Sequence, residues 1–296
     1  MNRASTIALT ALAPITWGTT YLVTTEMLPA GHPLFAALIR ALPAGLIALA
    51  IGRALPQGTW WFRAGVLGIL NIGAFFPLLF LAAERLPGGA AAAVAGVQPL
   101  ILLPLGALVL QDRPRITAVI AAAAGTTGVA LIVLGPASRL DTLGIVAAIA
   151  GVGATAAGII LTKKWGRPPR VGAVAYAGWQ LTAGGLFLLP LTLGLEGVPQ
   201  TIDTPAVVGY VWLAAVGGFA SYTLWFRGIQ LLPVVIPGLL VLLSPIVATL
   251  LGVFVAGESF TIIQGLGLAL VAAALIAGPF AARRSSAHAA LVAARP

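Results

Sequence analysis

Apolar residues fill this chain in long blocks, and polar residues gather between them. Charges and Pro/Gly clusters divide it into ten apolar segments, at residues 5–25, 33–52, 64–83, 88–110, 116–134, 142–162, 171–194, 206–228, 234–256 and 261–282. A membrane-spanning helix needs about 20 such residues. None of the segments has the ten-residue alternation of a membrane strand, so the pattern predicts helices and not a barrel. Connections are short. The longest, Leu195–Pro205, contains Gly, Pro, Gln and Asp and reads as a loop.

Two stretches repeat each other. PLILLPLGALVLQD (Pro99–Asp112) and PIVATLLGVFVAGE (Pro245–Glu258) both open with proline, carry glycine seven places on and end in an acid thirteen places on. Upstream, FLAAERLP (Phe80–Pro87) faces FRGIQLLP (Phe226–Pro233) at the same shift of 146. Five spans per half is an odd number, so two copies in tandem cross the membrane in opposite senses. Inverted repeats of this kind characterise secondary transporters, with a site near the midplane between the halves.

Composition agrees with a lipid solvent. Sixty per cent of residues are hydrophobic and 8% are charged, with a mean hydropathy of +1.06, whereas soluble domains carry roughly 25% charged residues. There are too few polar groups to cover a water-facing surface. The absence of cysteine excludes disulfides, thiol chemistry and thiolate metal sites. No cofactor is expected. The N-terminal MNRASTIALTALAPITWG resembles a signal peptide, but its apolar character runs to Thr25, so it reads as an uncleaved first helix.

The net charge of +9 sits in loops. With the N-terminus in the cytoplasm, Arg3, Arg53, Arg63, Arg113, Arg115, Lys163, Lys164, Arg167, Arg170, Arg227, Arg283, Arg284 and Arg295 all fall inside. Arg85 and Arg139 fall outside, and Arg40 lies within a span. Of the acids, Asp112 alone falls inside. This bias reflects insertion and not a nucleic-acid partner. The expected location is a cell (inner) membrane with both termini cytoplasmic.

The ten spans, ITWGTTYLV in span one, PLFAALIRALPAG in span two and the paired LP…QP…D and LP…SP…E blocks resemble the EamA branch of the drug/metabolite transporter superfamily. WGTTYLVTTEMLP (Trp17–Pro29) is most similar to its PecM-like exporter branch. The resemblance implies an all-α integral membrane protein of ten transmembrane helices, as two inverted five-helix repeats around a central cavity. They cover residues 1–135 and 139–282, with a flexible basic cytoplasmic tail at 283–296. It also implies that spans one, three, four, six, eight and nine line the cavity, that five and ten are peripheral, and that the activity is export of small metabolites or drug-like cations.

Polar side chains inside a span are costly and usually face the bundle interior. Trp17, Tyr21 and Thr24 share one face of span one at i, i+4 and i+7, with Thr20 beside them. Such a stripe can stack on a ring or hold a cation, or simply pack. Arg40 lies about two turns below the outer surface at 1.5 Å per residue. Its fork suits a carboxylate; the alternatives are a salt bridge to Glu26 or snorkelling outward. Asn71 and Phe75 fall in span three. Gln98 precedes Pro99, whose missing N–H frees a carbonyl, and Ser244–Pro245 repeats the device. Tyr222 joins Ser221 and Trp225 in span eight. Trp17, Thr20, Tyr21, Thr24, Arg40, Asn71, Phe75, Gln98, Tyr222 and Ser244 are the substrate-binding candidates; Asn71 and Gln98 read equally as interhelical hydrogen bonds. Trp179–Gln180 occupies in span seven roughly the place of Ile39–Arg40.

No Asp or Glu lies near the middle of a span, and no G-x-x-x-x-G-K-[ST] occurs. Two energetic schemes remain: facilitated transport, or proton exchange at Glu26. The substrate is expected to be an amino acid or related amine, with a lipophilic cation as the alternative. Neither His lies in a span, which argues against an intramembrane enzyme. Without rings of acids an ion channel is disfavoured, and the repeat disfavours a mere scaffold.

Overall fold

A computed structural model describes residues 2–85, 96–111, 114–133, 141–255 and 261–293. Among these residues the regular elements are all helices: α1 (Arg3–Met27), α2 (Pro33–Gly52), α3 (Trp60–Gly68), α4 (Phe75–Arg85), α5 (Gln98–Leu110), α6 (Ile116–Val133), α7 (Thr142–Trp165), α8 (Ala173–Leu195), α9 (Thr204–Trp212), α10 (Ser221–Leu231), α11 (Val235–Leu240), α12 (Leu243–Phe254) and α13 (Ile262–Ala293). Two wider π-helical segments, Ile69–Gly73 and Leu213–Ala220, join α3 to α4 and α9 to α10.

Among the described residues seven stretches are long and apolar enough to cross a membrane: Arg3–Met27, Pro33–Gly52, Trp60–Leu79, Thr142–Trp165, Ala173–Leu195, Thr204–Leu231 and Val235–Phe254. Three further apolar helices are shorter: Gln98–Leu110, Ile116–Ile132 and Ile262–Ala277. Residues 88–95, the expected start of span four, lie outside the described residues, as do Pro87, Asp112 and Glu258. The last helix continues through residues 283–293, where a flexible tail is expected from the sequence. The segment RRSSAHAALVA contains no Pro or Gly to stop it.

Helix starts follow local chemistry. The side chains of Asn2, Asp141 and Asp203 accept from the amides of Ser5, Gly144 and Ala206 at 2.8, 2.8 and 2.9 Å. These N-caps occupy donors that a helix cannot satisfy internally. Glu196, at the end of α8, does the same for a neighbour. Its carboxylate accepts from Leu34 N at 3.2 Å and Phe35 N at 2.8 Å, placing negative charge on the positive end of α2.

Small residues let helices cross closely. A Cβ on Gly45 would lie 2.5 Å from Thr182 N, one on Gly52 2.7 Å from Ala175 Cα, and one on Gly185 2.7 Å from Leu42 Cβ. As residue numbers rise along α2 they fall along α8, so the two helices are antiparallel. α6 and α13 pair in the same sense, through Gly128 against Val271 and Gly267 against Ile132. α1 packs on α10 and α12, while α7 packs on α4 and α5. Turns stand at Gly96–Val97, immediately before α5, and at Val241–Leu242, between α11 and α12.

Candidate functional site

The Leu213–Ala220 segment organises the first polar cluster. Its wider turn leaves the Gly217 carbonyl open to side chains, and two reach it. Trp17 Nε1 donates at 3.1 Å and Arg40 Nη2 at 3.3 Å. Arg40 is 7% exposed. Its guanidinium lies 5.3 Å from the Phe76 ring centre and 6.0 Å from that of Tyr222. Aromatic faces therefore stabilise a charge held away from water. Glu26, the partner that the sequence offers, is exposed at the end of α1, where the Thr25 hydroxyl reaches its Oε1 at 3.4 Å.

Trp17 is the hub. Its ring centre lies 5.1 Å from that of Tyr222 and 5.2 Å from that of Trp225. The following Gly18 explains the Trp–Gly pair, because a Cβ there would stand 2.7 Å from Ser244 O and 2.6 Å from Val247 Cβ. Without a side chain, α1 lies directly on the start of α12. Thr16 and Ser221 share a short hydrogen bond between α1 and α10, and Ser221 Oγ also donates to Val216 O at 2.6 Å.

Thr20 and Thr24 continue the face of α1, both half-buried. Thr24 Oγ1 donates to Thr20 O at 2.7 Å. The Thr20 hydroxyl is buried and has no hydrogen-bond partner. A buried hydroxyl normally finds one; those of Tyr176, Thr182 and Tyr210 are in the same state. The Tyr21 side chain lies outside the described residues. Phe75 is half-buried, with its ring centre 5.6 Å from that of Phe76. Gln98 is 7% exposed and its Nε2 donates to Thr155 Oγ1 at 3.3 Å, linking α5 to α7 just after the Gly96–Val97 turn. Ser244 is half-buried just after the Val241–Leu242 turn.

Asn71 belongs to another cluster. It is 5% exposed, and its Nδ2 donates to Gln180 Oε1 at 2.8 Å and toward Thr162 Oγ1 at 3.5 Å. Gly158 faces it so closely that a Cβ would meet Asn71 Oδ1 at 2.2 Å. Next to this cluster the half-buried ring of Trp60 and the buried rings of Tyr176, Trp179 and Phe226 form an aromatic layer, with centres 6.0–6.3 Å apart. Arg63 lies over Trp60 at 5.1 Å and over Trp165 at 5.5 Å. A cavity of about 150 Å³ lies elsewhere, lined by Ile7, Ile236, Leu239, Leu240, Leu243 and Leu275. Its aliphatic walls offer no polar group to orient a solute.

Sequence reasoning missed Glu196, Lys163 and the Gly217 carbonyl. A peptide carbonyl leaves no signature in a sequence; an acid at a helix end opposite Pro33 at the start of α2 does leave a weak one.

The architecture has known counterparts. A solved crystal structure superposes with a TM-score of 0.81 at 20% identity, covering 96% of this chain and 99% of its own, which is a likeness of fold. Protein PecM of Dickeya dadantii (strain 3937) is 44% identical over 264 residues, 89% of each chain. The uncharacterized transporter YwfM of Bacillus subtilis (strain 168) is 30% identical over 274 residues, 90% of each chain. The uncharacterized inner membrane transporter YedA of Escherichia coli (strain K12) is 24% identical over 88% of this chain and 86% of its own. The model of the EamA-like transporter family matches residues 4–134 and 142–277. The chain therefore belongs to the EamA-like transporter family and is a PecM-like membrane transporter of the drug/metabolite type.

Proposed function

We propose that this transporter is an inner-membrane secondary exporter of small, partly apolar metabolites, amino acids or related amines, and that it is not an enzyme. In this reading it works by alternating access between two inverted five-helix repeats, residues 1–135 and 139–282, with cytoplasmic termini. At the shift of 146, α4 (Phe75–Arg85) superimposes in register on α10 (Ser221–Leu231), and each follows a π-helical segment. Among the described residues, seven long and three shorter apolar helices are compatible with ten spans. The antiparallel pairs α2–α8 and α6–α13 join span two to span seven and span five to span ten. Equivalent helices that pack antiparallel support inversion of one repeat relative to the other.

The observation that carries the site is the unpartnered Thr20 hydroxyl on the face of α1 that also presents Trp17 and Thr24. In this proposal Trp17 supplies a ring surface and Thr20 and Thr24 supply hydrogen bonds. Phe75, Gln98, Ser244 and Tyr222 complete the wall beside the turns at Gly96–Val97 and Val241–Leu242, and Tyr21 joins them by its sequence position on α1. Arg40 holds spans two, three and eight together and does not clamp a carboxylate. Its fork is already directed at a carbonyl and two rings. Asn71 likewise joins spans three, six and seven.

The sequence places no carboxylate near mid-span, and this supports facilitated transport down the substrate gradient. Counterflow in proteoliposomes tests the reading. Vesicles are loaded with unlabelled amino acids, amines or aromatic cations, and entry of each labelled counterpart is followed with and without a pH gradient. Exchange of neutral amino acids that is indifferent to pH supports the proposal. Exchange confined to cations, driven by a proton gradient and lost in Glu26→Gln, replaces it with a proton-coupled cation exporter.

A further inference from the structure

Lys163 stands in the last turn of α7, at the end of the bundle that the charge pattern assigns to the cytoplasm. Its Nζ donates to two carbonyls of a different span, Gln230 O at 2.9 Å and Leu232 O at 2.8 Å. Both oxygens belong to the C-terminus of α10. The helix stops there because Leu232 precedes Pro233 and adopts extended backbone, φ −104° and ψ 150°. Pro233 brings no N–H, so the last carbonyls of α10 lack intrahelical donors. The ammonium answers both that deficit and the negative end of the helix dipole.

Behind this contact the bundle is solid. Thr162, the neighbour of Lys163, is fully buried and faces Asn71, which is bonded to Gln180. Tyr176 and Phe226 pack edge-on at 6.3 Å in the same region. In the alternating-access reading the inward path from the Trp17 cluster opens between α7 and α10, and Lys163 ties them at their tips. Once they separate, water hydrates the ammonium and the carbonyls. The net contribution of a charge-assisted hydrogen bond is therefore modest, which suits a contact that must open and re-form.

We infer that Lys163 is the latch of the inner gate, holding α7 to the C-terminus of α10 while the site faces outward. This inference rests on the alternating-access reading above. It adds a residue that touches no substrate and acts on the balance between two states. Removing the latch raises the inward-open fraction by about tenfold, the scale of one charge-assisted hydrogen bond.

The native chain has no cysteine, so pairs of spin labels can be placed without background. An inner pair at Lys164→Cys and Leu231→Cys, both exposed, reads the distance across the latch. An outer pair at Thr25→Cys and Val207→Cys, also exposed, reads the opposite end. Distances are measured in lipid nanodiscs for otherwise native protein and for Lys163→Met. Lys163→Gln carries the same prediction should the methionine variant not be monodisperse.

The expected result is about a tenfold gain of the long inner distance together with a shift of the outer pair to shorter distance. If the native protein populates both inner distances and the variant leaves their ratio unchanged, the latch is overturned and alternating access stands. If the inner pair lengthens with no answering change outside, the Lys163 clamp stands and the alternating-access reading fails. A single, identical inner distance in both proteins overturns both.

Discussion

Trp17 and Arg40 share one acceptor. The indole of a residue in α1 and the guanidinium of a residue in α2 both point at the Gly217 carbonyl, at 3.1 and 3.3 Å. Three spans therefore meet at a single oxygen that the π-helical segment leaves open. Loss of the guanidinium removes a hydrogen bond and two ring contacts. Arg40→Ala is expected to cost ~2 kcal/mol of stability, read as a lower thermal midpoint in detergent. Arg40→Lys recovers only part of it, because an ammonium lacks the planar fork that stacks on Phe76 while reaching the carbonyl. Full recovery by lysine would mean that charge alone matters there.

A tight contact between α1 and α10 gives a steric prediction. A Cβ on Gly228 would lie 2.1 Å from Thr10 Oγ1, whereas one on Gly153 meets nothing within 4 Å. Gly228→Ala is expected to destabilise by about 1–3 kcal/mol through overpacking. Gly153→Ala is expected to be neutral or slightly stabilising, since alanine favours the helix. Thermal midpoints of the two purified variants check the contrast; equal shifts would contradict the α1–α10 packing.

Glu196 separates stability from transport. Its carboxylate caps α2 from 161 residues away in sequence. Glu196→Ala is expected to cost ~1 kcal/mol, the usual worth of an N-cap, with an unchanged counterflow KM. A KM change with no thermal shift would move Glu196 into the solute path.

What could be read beforehand follows from which physics is local. The long apolar blocks, the lipid environment and the Trp–Gly and Pro-centred motifs of the family are written in consecutive residues, and all lead to the EamA-like family. The start of α5 at Gln98 is likewise local, because Pro99 cannot donate and favours the first turn of a helix. The partners of Arg40 were not readable. Glu26 is the nearest acid in sequence, but the guanidinium is met instead by a carbonyl 177 residues away and by two rings. Nor was the pairing of Asn71 with Gln180, or of Lys163 with Gln230 and Leu232. These contacts depend on helices crossing at positions set by glycines, and pairwise crossing is not encoded in any one segment.

Trp17→Phe probes the hub gently. The smaller ring keeps an aromatic surface beside Tyr222 but has no N–H for Gly217. The expected loss is one interhelical hydrogen bond, about 0.6–1.7 kcal/mol, with counterflow retained. Trp17→Ala is expected to abolish counterflow while the protein stays monodisperse.

The most direct measurement of the central claim uses a single cysteine at Thr24 in the naturally cysteine-free chain. Proteoliposomes carrying Thr24→Cys are treated with a membrane-impermeant thiol reagent, and counterflow is followed before and after. If the α1 face lines the path, modification stops counterflow, and an excess of the transported solute slows the modification. Complete modification with unchanged counterflow would contradict the account and move the path away from Trp17, Thr20 and Thr24.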